Sequence, residues 1–386
     1  MNDHSSVEKK KPSICIVGLE NYGLLYSHIF RGKVGGSELQ QMLLAKQLVQ
    51  LGYAIEMLCI DVGQPAVDDV SGIKVIRTFN PHEGPPGLRF FYPRLWTLLR
   101  SLLTTESQII YVSTATPLLA LAVIAGNLRG KKVIWKCASD MDCEKVTLRR
   151  ILGWIDRVMY VYGLRRATMR LVQTAKQSQI LWDNFGLSAR IVPPLIDSSE
   201  DTKPLPLSAR SYSVLWVGNF HPEKRPDVFI KVAQALPQFS FELIGGPSTG
   251  HESFYESVVR SADAVANVKL TGPKPYYETA LAIASCRVLV NTSRREGFPN
   301  TFLQAWRAGT PLVATFDPDG MVAANGAGLV ANDPKEVTMH VANLMIDDVI
   351  WAAVSSKSRS LFERQGDMES STAAYEELFK TVADLT

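Results

Sequence analysis

The sequence lacks the long hydrophobic run that a membrane-spanning helix requires. Its longest apolar stretch, residues 117–126, has about half of the roughly 20 residues needed to cross a bilayer. Residues 1–12 are polar and then basic, without the hydrophobic region of a secretory signal peptide. These absences predict a cytoplasmic protein, which would be peripheral on the inner face of the membrane if it contacts one.

Cysteine is scarce, and several signature motifs are missing. The five cysteines form no CxxC pair, and Cys15 and Cys59 fall in predicted strands, so we expect buried, reduced thiols and no zinc site. The sequence contains neither the GxGxxG dinucleotide fingerprint nor the GxSxG nucleophile elbow, and its histidines show no triad spacing. It therefore gives no indication of a simple dinucleotide-binding enzyme or a serine hydrolase.

The composition is that of an ordinary globular protein with an uneven distribution of charge. The chain has 386 residues, of which 46% are hydrophobic and 20% charged. That length predicts two domains rather than one core. Residues 1–200 contain 24 Lys and Arg against 17 Asp and Glu, whereas residues 201–386 contain 17 against 21. Most of the basic excess lies in residues 129–190.

This basic excess has two interpretations. It is either a solvated surface or a surface attracted to anionic lipid headgroups or to an anionic acceptor. Residues 89–100 mix aromatics, leucines and arginines as an interfacial helix does, although a core helix shows the same pattern. Nucleic acid is not an expected partner, because no recognition motif accompanies the charge. An anionic membrane surface is therefore one of the candidate partners.

Strands alternate with helices almost throughout the chain. This alternation predicts an α/β architecture of parallel sheets covered by helices on both faces. We expect a first domain at residues 12–197, a polar, proline-containing linker at 198–211 and a second domain at 212–365. Because ligands of such sheets bind outside the carboxyl ends of the strands, a cleft between the domains is the expected site.

The segment 296–306 carries the strongest indication of a site. Glu296 precedes a Gly-Phe-Pro turn, and an apolar-periodic helix begins near Asn300. The first amides of such a helix have no internal partner, and the helix dipole adds positive character, so a phosphate is the natural ligand. The Glu296 carboxylate beside it can hold hydroxyls of whatever the phosphate carries. The segment therefore predicts a site for a sugar nucleotide.

Three other stretches are weaker indications when taken alone. Gly35-Gly36 opens a long helix and permits close approach of a ligand, but such helix starts are common. Lys224 and Arg225 follow the first strand of the second domain, where they would neutralise a diphosphate without a metal or form a solvated basic pair. Asp140 lies at the polar end of a buried strand, where catalytic groups are often found.

Together these stretches resemble glycosyltransferase family 4, the retaining enzymes of the GT-B fold. The resemblance extends over residues 13–314 and is most specific in residues 291–314, which look like the family's Glu-x7-Glu motif with its following helix and strand. It implies two Rossmann-like domains that face each other across a cleft, the first binding the acceptor and the second the nucleotide sugar. It also implies that a C-terminal helix at 366–386 packs back on the first domain.

The resemblance also assigns roles to residues. Glu296 would contact the transferred hexose, and Lys224 would stabilise the leaving diphosphate as the glycosidic bond breaks. Asp140, at the strand end near the acceptor, is the third candidate catalytic residue. The family generally attacks from the same face through an oxocarbenium-like state, usually without a metal, so we expect no metal and no cofactor. The residues expected to bind the nucleotide sugar are Gly35, Gly36, Gly218, Asn219, Arg225, Gly272, Arg295, Gly297, Phe298, Pro299, Asn300, Thr301 and Gln304.

Three positions depart from the family pattern. The second glutamate of the motif is Gln304, whose amide oxygen still accepts hydrogen bonds from ribose hydroxyls but carries no charge. The arginine that usually follows the Val-Gly of the second domain is Asn219, so one phosphate cation is missing unless Arg225 or Arg295 substitutes for it. The histidine often found near the acceptor has no clear equivalent. The acceptor-side chemistry stays open.

The main functional hypothesis is a hexosyltransferase. It would move a hexose from a nucleotide diphosphate sugar to a glycan or lipid-linked glycan acceptor, in the synthesis of cell-surface polysaccharide. The first alternative is a sugar-nucleotide-binding protein without turnover, which Asn219 and Gln304 favour. The second alternative is a GT-B-fold epimerase that converts the sugar nucleotide alone. The sequence specifies neither the base and hexose of the donor nor the acceptor and linkage.

Overall fold

The computed structural model describes residues 11–26, 35–84, 90–196, 204–365 and 368–385. These residues form two α/β domains, each built on one sheet. Alternate residues of a central strand belong to different hydrophobic clusters, so helices cover both faces of each sheet. The predicted α/β class with two Rossmann-like domains facing each other across a cleft is confirmed.

The first sheet has eight strands in the described residues. Their bounds are β1 Ile14–Val17, β2 Ile55–Cys59, β3 Val67–Val70, β4 Ile73–Arg77, β5 Ile109–Ser113, β6 Lys132–Lys136, β7 Met169–Val172 and β8 Arg190–Ile191. The order across the sheet is β3-β4-β2-β1-β5-β6-β7-β8, and every pair is parallel except β3 with β4. The strand β3 is not predicted from the sequence, because it is a short, charged edge strand with only Val70 buried.

Helices of the first domain follow its strands. Their bounds are α1 Tyr22–Leu25, α2 Gly36–Gln50, α3 Trp96–Thr104, α4 Leu118–Arg129, α5 Lys145–Ile151, α6 Trp154–Arg166 and α7 Ala175–Phe185, with a π-helical turn at Phe90–Leu95 and a 3-10 turn at Asp140–Cys143. The helix α7 is longer than the predicted 177–184, because the Thr174 hydroxyl caps its start and Gly186 ends it in the left-handed conformation.

The second sheet has six parallel strands in the described residues. Their bounds are β9 Ser211–Val217, β10 Ser240–Ile244, β11 Val268–Leu270, β12 Cys286–Asn291, β13 Leu312–Ala314 and β14 Leu329–Val330. The order is β11-β10-β9-β12-β13-β14. The helices are α8 Pro226–Ala235, α9 Glu252–Asp263, α10 Tyr276–Ser285, α11 Asn300–Ala308, α12 Met321–Asn325, α13 Pro334–Ile346, α14 Asp348–Gln365 and α15 Met368–Ala383, with 3-10 turns at Leu207–Ala209, Pro222–Lys224 and Pro318–Gly320.

The central strands are buried on both faces. Ile14 and Ile16 of β1 contribute to one hydrophobic cluster, whereas Cys15 and Val17 contribute to the cluster on the opposite face. Such double burial explains why these strands appear in the sequence as continuous apolar runs. All five cysteines are free and buried, as the sequence predicts.

The connection between the domains contacts the second domain before β9 begins. Residues 198–203 of the predicted linker, together with residue 197, lie outside the described part of the chain. Arg210, near the end of that linker, is already buried in the second domain. Its guanidinium donates hydrogen bonds to the carbonyl oxygens of Ala284, Cys286 and Ala308. The second domain therefore includes Arg210, because this side chain satisfies carbonyls where two helices end.

The final helix returns to the first domain. Leu361 of α14 belongs to the second-domain core, whereas Tyr375, Leu378 and Phe379 of α15 belong to the first-domain core. Phe379 is fully buried, and its ring lies near Tyr53 and Tyr111. The helix α15 thus packs on the first domain, while residues 366–367 of the predicted C-terminal helix lie outside the described residues.

Residues 90–104 are helical, and the leucines of residues 95–104 are buried or half-buried. Leu98 and Leu102 of α3 are buried in the first domain, whereas Trp96 is 62% exposed. This arrangement fits the core interpretation of residues 89–100, although residue 89 lies outside the described part. No described helix is by itself long and apolar enough to span a bilayer; α13 and α14 reach that length and composition only as a pair bent by 102°.

Replacing Phe379 by Ala should destabilise the protein. Removing a fully buried aromatic ring leaves a cavity, and we expect the loss to be about 3–5 kcal/mol of unfolding free energy. Urea denaturation followed by tryptophan fluorescence measures it. Leu385→Ala, at a residue that is 42% exposed, is the control and should change the midpoint little. Equal midpoints for the two variants would contradict the packing role of α15.

Candidate active site in the interdomain cleft

A cleft of about 400 Å³ lies between the carboxyl ends of the two sheets. In each sheet the strand order reverses beside the first strand, because β1 lies between β2 and β5, and β9 lies between β10 and β12. Ligands of open parallel sheets bind at such reversal points. Ser113 ends β5, Val217 ends β9 and Asn291 ends β12, and all three residues line the cleft.

Lys224 and Glu296 meet in this cleft. Lys224 Nζ lies 2.5 Å from Glu296 Oε1, and Ser293 Oγ donates a hydrogen bond of 2.6 Å to the same oxygen. The Thr292 hydroxyl lies 2.7 Å from the carbonyl oxygen of Lys224, so the end of β12 also holds the lysine loop. The fold therefore brings a cation and a carboxylate, 72 residues apart in the chain, to one point of the second-domain wall.

The start of α11 faces the same point. Pro299 precedes the helix and provides no side-chain cap. Phe302 and Trp306 anchor the opposite face of α11 in the core, and Gly309 ends the helix in the left-handed conformation. The first amides of α11 thus open into the cleft beside Glu296, where they favour an anionic ligand. Gly297, Phe298, Pro299, Asn300 and Thr301 all line the cleft.

The first-domain wall is formed by the start of α2. Gly35 and Gly36 line the cleft, and Gly35 provides no side-chain cap for the helix. Asn300 Nδ2 donates to the Gly36 carbonyl oxygen at 3.2 Å, and Gln40 Nε2 donates to Asn300 Oδ1 at 2.9 Å. The starts of α2 and α11 therefore approach each other, so that both helix dipoles point into the cleft.

The two domains touch at Gly297. A Cβ atom at this position would lie 2.2 Å from the carbonyl oxygen of Ala138 and 2.8 Å from Gln173 Oε1. Next to it, the amide of Asp140 donates to the carbonyl oxygen of Glu296 at 3.3 Å. Only glycine permits this approach, because a larger residue would collide with a backbone atom of the first domain.

Two further contacts join the domains around the cleft. Arg295 Nη1 lies 2.8 Å from Glu144 Oε2 and 3.0 Å from the Thr147 hydroxyl. The Asp319 carboxylate accepts hydrogen bonds of 2.6 and 3.0 Å from the amides of Ala175 and Lys176, at the start of α7. Arg295 lines the cleft but is engaged in this contact with the first domain. The structure thus shows the domains in a closed arrangement.

The structure does not place every predicted residue in the cleft. The Asp140 carboxyl is buried 2.8 Å from Lys176 Nζ and does not line the cleft, because the 3-10 turn directs it toward α7. Burial raises the pKa of this carboxyl despite the lysine. Arg225 and Gly272 also lie outside the lining, and both adopt positive φ, at 51° and 72°. Arg225 directly follows the cleft residue Lys224, and Gly272 directly precedes the cleft residue Pro273.

Asp142, rather than Asp140, organises the loop after β6. Its carboxylate accepts hydrogen bonds from the amides of Ala138, Ser139 and Ala115, at 2.8, 3.1 and 3.2 Å. Burial raises the pKa of Asp142 to about 6, although the three amides oppose the rise. The charge of this residue is therefore used to fix the first-domain loop that touches Gly297.

Two of the three departures from the family pattern, Gln304 and Asn219, line the cleft. Gln304 projects from α11, and among the described residues its Nε2 is buried without a hydrogen-bond partner. A buried donor of this kind favours a ligand that accepts its hydrogen bond. Asn219 follows Gly218 at the end of β9, and both residues line the same wall. Gln304 and Asn219 therefore both belong to the candidate site, although they differ from the family pattern.

The structure adds cleft residues that the sequence interpretation does not predict. Ser113, Lys136, Gln173, His221 and Lys274 all line the cavity. Lys136 gives the clearest signal in the sequence, since a lysine ends the otherwise apolar run of β6. The others resemble ordinary loop or strand-end residues in the sequence, so only the folded arrangement identifies them.

The fold is the GT-B fold of glycosyltransferases. The sucrose-phosphate synthase of Thermosynechococcus elongatus superposes with a TM-score of 0.75 and 17% sequence identity, covering 97% of this chain and 99% of that chain. HepE of Anabaena, solved in complex with UDP and glucose, superposes with a TM-score of 0.73 and 15% identity, covering 97% and 100%. Identity at this level establishes the fold alone.

Sequence comparison identifies the family. Residues 34–200 match the model of Glycosyltransferase Family 4, and residues 211–347 match that of Glycosyl transferases group 1. The chain belongs to this glycosyltransferase family. D-inositol 3-phosphate glycosyltransferase of Mycobacterium leprae strain Br4923 is 31% identical over 104 residues, which are 26% of this chain and 24% of that relative. The match thus spans about a quarter of the relative's length.

Replacing Gly297 by Ala should hold the domains apart. The added methyl group would collide with the Ala138 carbonyl oxygen, so the closed arrangement would be lost. Small-angle X-ray scattering should show a larger radius of gyration for this variant than for the wild type. Gly246→Ala is the control, because a Cβ there would meet its nearest atom at an ordinary 3.5 Å. Superimposable scattering profiles for the wild type and Gly297→Ala would contradict the requirement for glycine at this position.

Proposed function

We propose that the protein is a retaining hexosyltransferase that needs no metal. It moves a hexose from a nucleotide diphosphate sugar to a glycan or lipid-linked glycan acceptor, in cell-surface polysaccharide synthesis. The observation that carries this proposal is the meeting of Lys224 and Glu296 beside the uncapped start of α11, inside the interdomain cleft. A cation, a carboxylate and free helix amides are the groups that a sugar diphosphate requires.

The donor is assigned to the second-domain wall. Its diphosphate occupies the start of α11 and draws Lys224 Nζ away from Glu296, because a doubly charged diphosphate attracts the ammonium more strongly than one carboxylate does. The freed Glu296 then accepts hydrogen bonds from hydroxyls of the hexose. The buried Nε2 of Gln304, near the other end of the site, donates to an oxygen of the nucleoside.

The reaction is a substitution at the anomeric carbon. The bond between this carbon and the diphosphate oxygen breaks, and an acceptor hydroxyl forms the new bond on the same face. Its proton passes to the departing diphosphate oxygen, so no protein carboxylate has to become a nucleophile. Lys224 and the α11 amides stabilise the charge that develops on the diphosphate. Closure at Gly297 excludes water, which protects the oxocarbenium-like state from hydrolysis.

UDP is the first nucleotide to test. HepE, which shares the fold, is bound to UDP and glucose. Ligands that bind only the native state raise its melting temperature, so a panel of UDP-, GDP- and ADP-sugars can be compared by thermal unfolding. The nucleotide that gives the largest rise identifies the base of the donor.

A binding protein without turnover is the second candidate function. Asn219 and Gln304 favour it, since each lacks the charge found at that position in the family. Donor binding by calorimetry without transfer to any acceptor would support this candidate. Conversion of the sugar nucleotide in the absence of acceptor would instead indicate an epimerase.

Replacing Lys224 by Ala should lower kcat by about 10²–10³-fold, because a preorganised group that stabilises transition-state charge typically contributes that much. Glu296→Ala should also lower kcat, since its contact with the hexose would tighten in the transition state. Transfer of radiolabelled hexose measures both effects. Lys231→Ala, an exposed lysine on α8, is the matched control. Full activity in Lys224→Ala or Glu296→Ala would refute the role assigned to that residue.

The proposed lipid-linked acceptor requires contact with a membrane surface. Helices α5 and α6 expose five apolar side chains between them: Val146, Ile151, Trp154, Ile155 and Val158, exposed by 40–69%. Arg149 and Arg150 of α5 are exposed beside them. This α5–α6 surface combines apolar and basic side chains, as a surface that lies on anionic lipid does. It is a better candidate than residues 89–100, whose three leucines are buried or half-buried.

The double variant Trp154→Ala/Val158→Ala should bind anionic liposomes at least about tenfold more weakly than the wild type, because it loses apolar area that enters the interface. Liposome flotation with and without phosphatidylserine measures binding. The control is Met339→Ala/Val349→Ala, which removes exposed apolar side chains from the second domain. Equal flotation of both double variants, or no flotation of the wild type, would contradict the assigned surface.

A further inference from the structure

A lysine lies in the first-domain wall of the cleft without a carboxylate partner. Lys136 is 4% exposed, yet it lines the cavity. Within the described residues, Nζ forms no ion pair or hydrogen bond, and its recorded contact is the face of the Tyr375 ring at 5.9 Å. The other two lysines of the cleft are paired, Lys224 with Glu296 and Lys274 with Glu242.

A buried lysine without a carboxylate partner reduces the stability of the folded protein. Burial lowers the pKa of Lys136 to about 8, so the ammonium is still mostly protonated at neutral pH. Burying a charge without a partner destabilises the folded protein, because the charge loses its hydration and gains no ion pair in return. A buried cation of this kind that faces a substrate cavity indicates a ligand that neutralises it.

The sheet places a hydroxyl next to this ammonium. Ser113 and Lys136 are register partners at the carboxyl ends of β5 and β6, so both side chains leave the same face of the sheet. Ser113 is 7% exposed and also lines the cleft. The fold therefore brings a donor hydroxyl and an ammonium to one side of the cavity.

The start of α2 adds to the positive character of this corner. Gly35 and Gly36 line the same cavity, and the helix dipole directs its positive end there. The acidic side chain of this helix start, Glu38, accepts a hydrogen bond from the Ser37 hydroxyl at 2.8 Å and forms no recorded ion pair with Lys136 in the described structure. The Glu38 carboxylate lies against Gly35 at the helix start. Among the described residues it is therefore the Lys136 ammonium, beside the Ser113 hydroxyl, that has no carboxylate partner.

We propose that Lys136 and Ser113 form an anion subsite that binds a carboxylate or phosphate group carried by one of the two sugar substrates. This inference rests on the proposed function, because it adds a substrate class to the same cleft. The diphosphate of the donor already has its own cation, Lys224, on the second-domain wall. The anion at Lys136 is therefore a substituent of a sugar, such as the carboxylate of a uronic acid or the phosphate of a sugar phosphate.

The anionic sugar has two sources, which two sets of titrations distinguish. Isothermal calorimetry on the full chain compares UDP-glucuronate with UDP-glucose for the donor. In saturating UDP, it compares glucuronate and glucose 6-phosphate with glucose for the acceptor. In one of these sets we expect the anionic sugar to bind at least about tenfold more tightly than the neutral one, as a charge-assisted contact predicts.

Lys136→Met and Lys136→Arg test the residue itself. Lys136→Met should lose the preference for the anionic sugar, Lys136→Arg should retain most of it, and both should bind UDP alone as the wild type does. Lys231→Met, at an exposed lysine, should retain the full preference. The melting temperature of ligand-free Lys136→Met should equal or exceed that of the wild type, because an unpaired buried charge is removed.

Several results would overturn the inference. A wild type that binds UDP but shows no anionic preference in either set would refute it and leave the proposed function standing. If Lys136→Met retains the preference for the anionic sugar, Lys136 does not bind the anion. If this variant binds UDP more weakly than the wild type does, Lys136 contacts the diphosphate instead. A lower melting temperature with unchanged sugar preference would show a structural role. Failure of the wild type to bind any nucleotide sugar would refute the proposed function together with the inference.

Discussion

The cleft depends on the close approach of two backbones at Gly297. Because this residue has no Cβ, the Glu296 carbonyl and the loop after β6 come into direct contact, and the two sheets present their carboxyl ends to one cavity. In that partly enclosed space, electrostatic interactions are stronger than in bulk water. The Lys224–Glu296 pair and the start of α11 would have little selectivity for an anion on an open surface. Closure therefore converts ordinary strand-end side chains into a site.

Charge is distributed differently on the two walls of this site. The second-domain wall contains a cation that is already paired with a carboxylate, so this cation can exchange one anion for another. The first-domain wall contains Lys136, which has no such partner among the described residues. A protein tolerates an unpaired buried charge at the expense of stability, and such sites are commonly functional. The two walls are thus suited to different ligands.

Much of the architecture could be predicted from the sequence, because local and tertiary preferences agree there. The central strands are buried on both faces and appear as apolar runs, and α11 begins at Asn300, where the predicted helix begins. The edge strand β3 could not be predicted, since two aspartates in four residues resemble a loop. The residue at which the linker ends could not be predicted either, because Arg210 is buried through contacts with carbonyl groups that lie far away in sequence.

The sequence by itself determined the family resemblance, and with it the GT-B class, from several motifs in the right order along the chain. It also located Lys224 and the helix start after Glu296, because each follows from residues close together in the chain. Only the tertiary structure decided which side chains of the loop after β6 reach the cleft. Asp140 turns away toward Lys176, whereas Lys136 enters the cavity through its register with Ser113. The reason is physical: the direction of a strand-end side chain is set by its neighbours in the sheet and by the helix packed against it, and these lie far away in sequence.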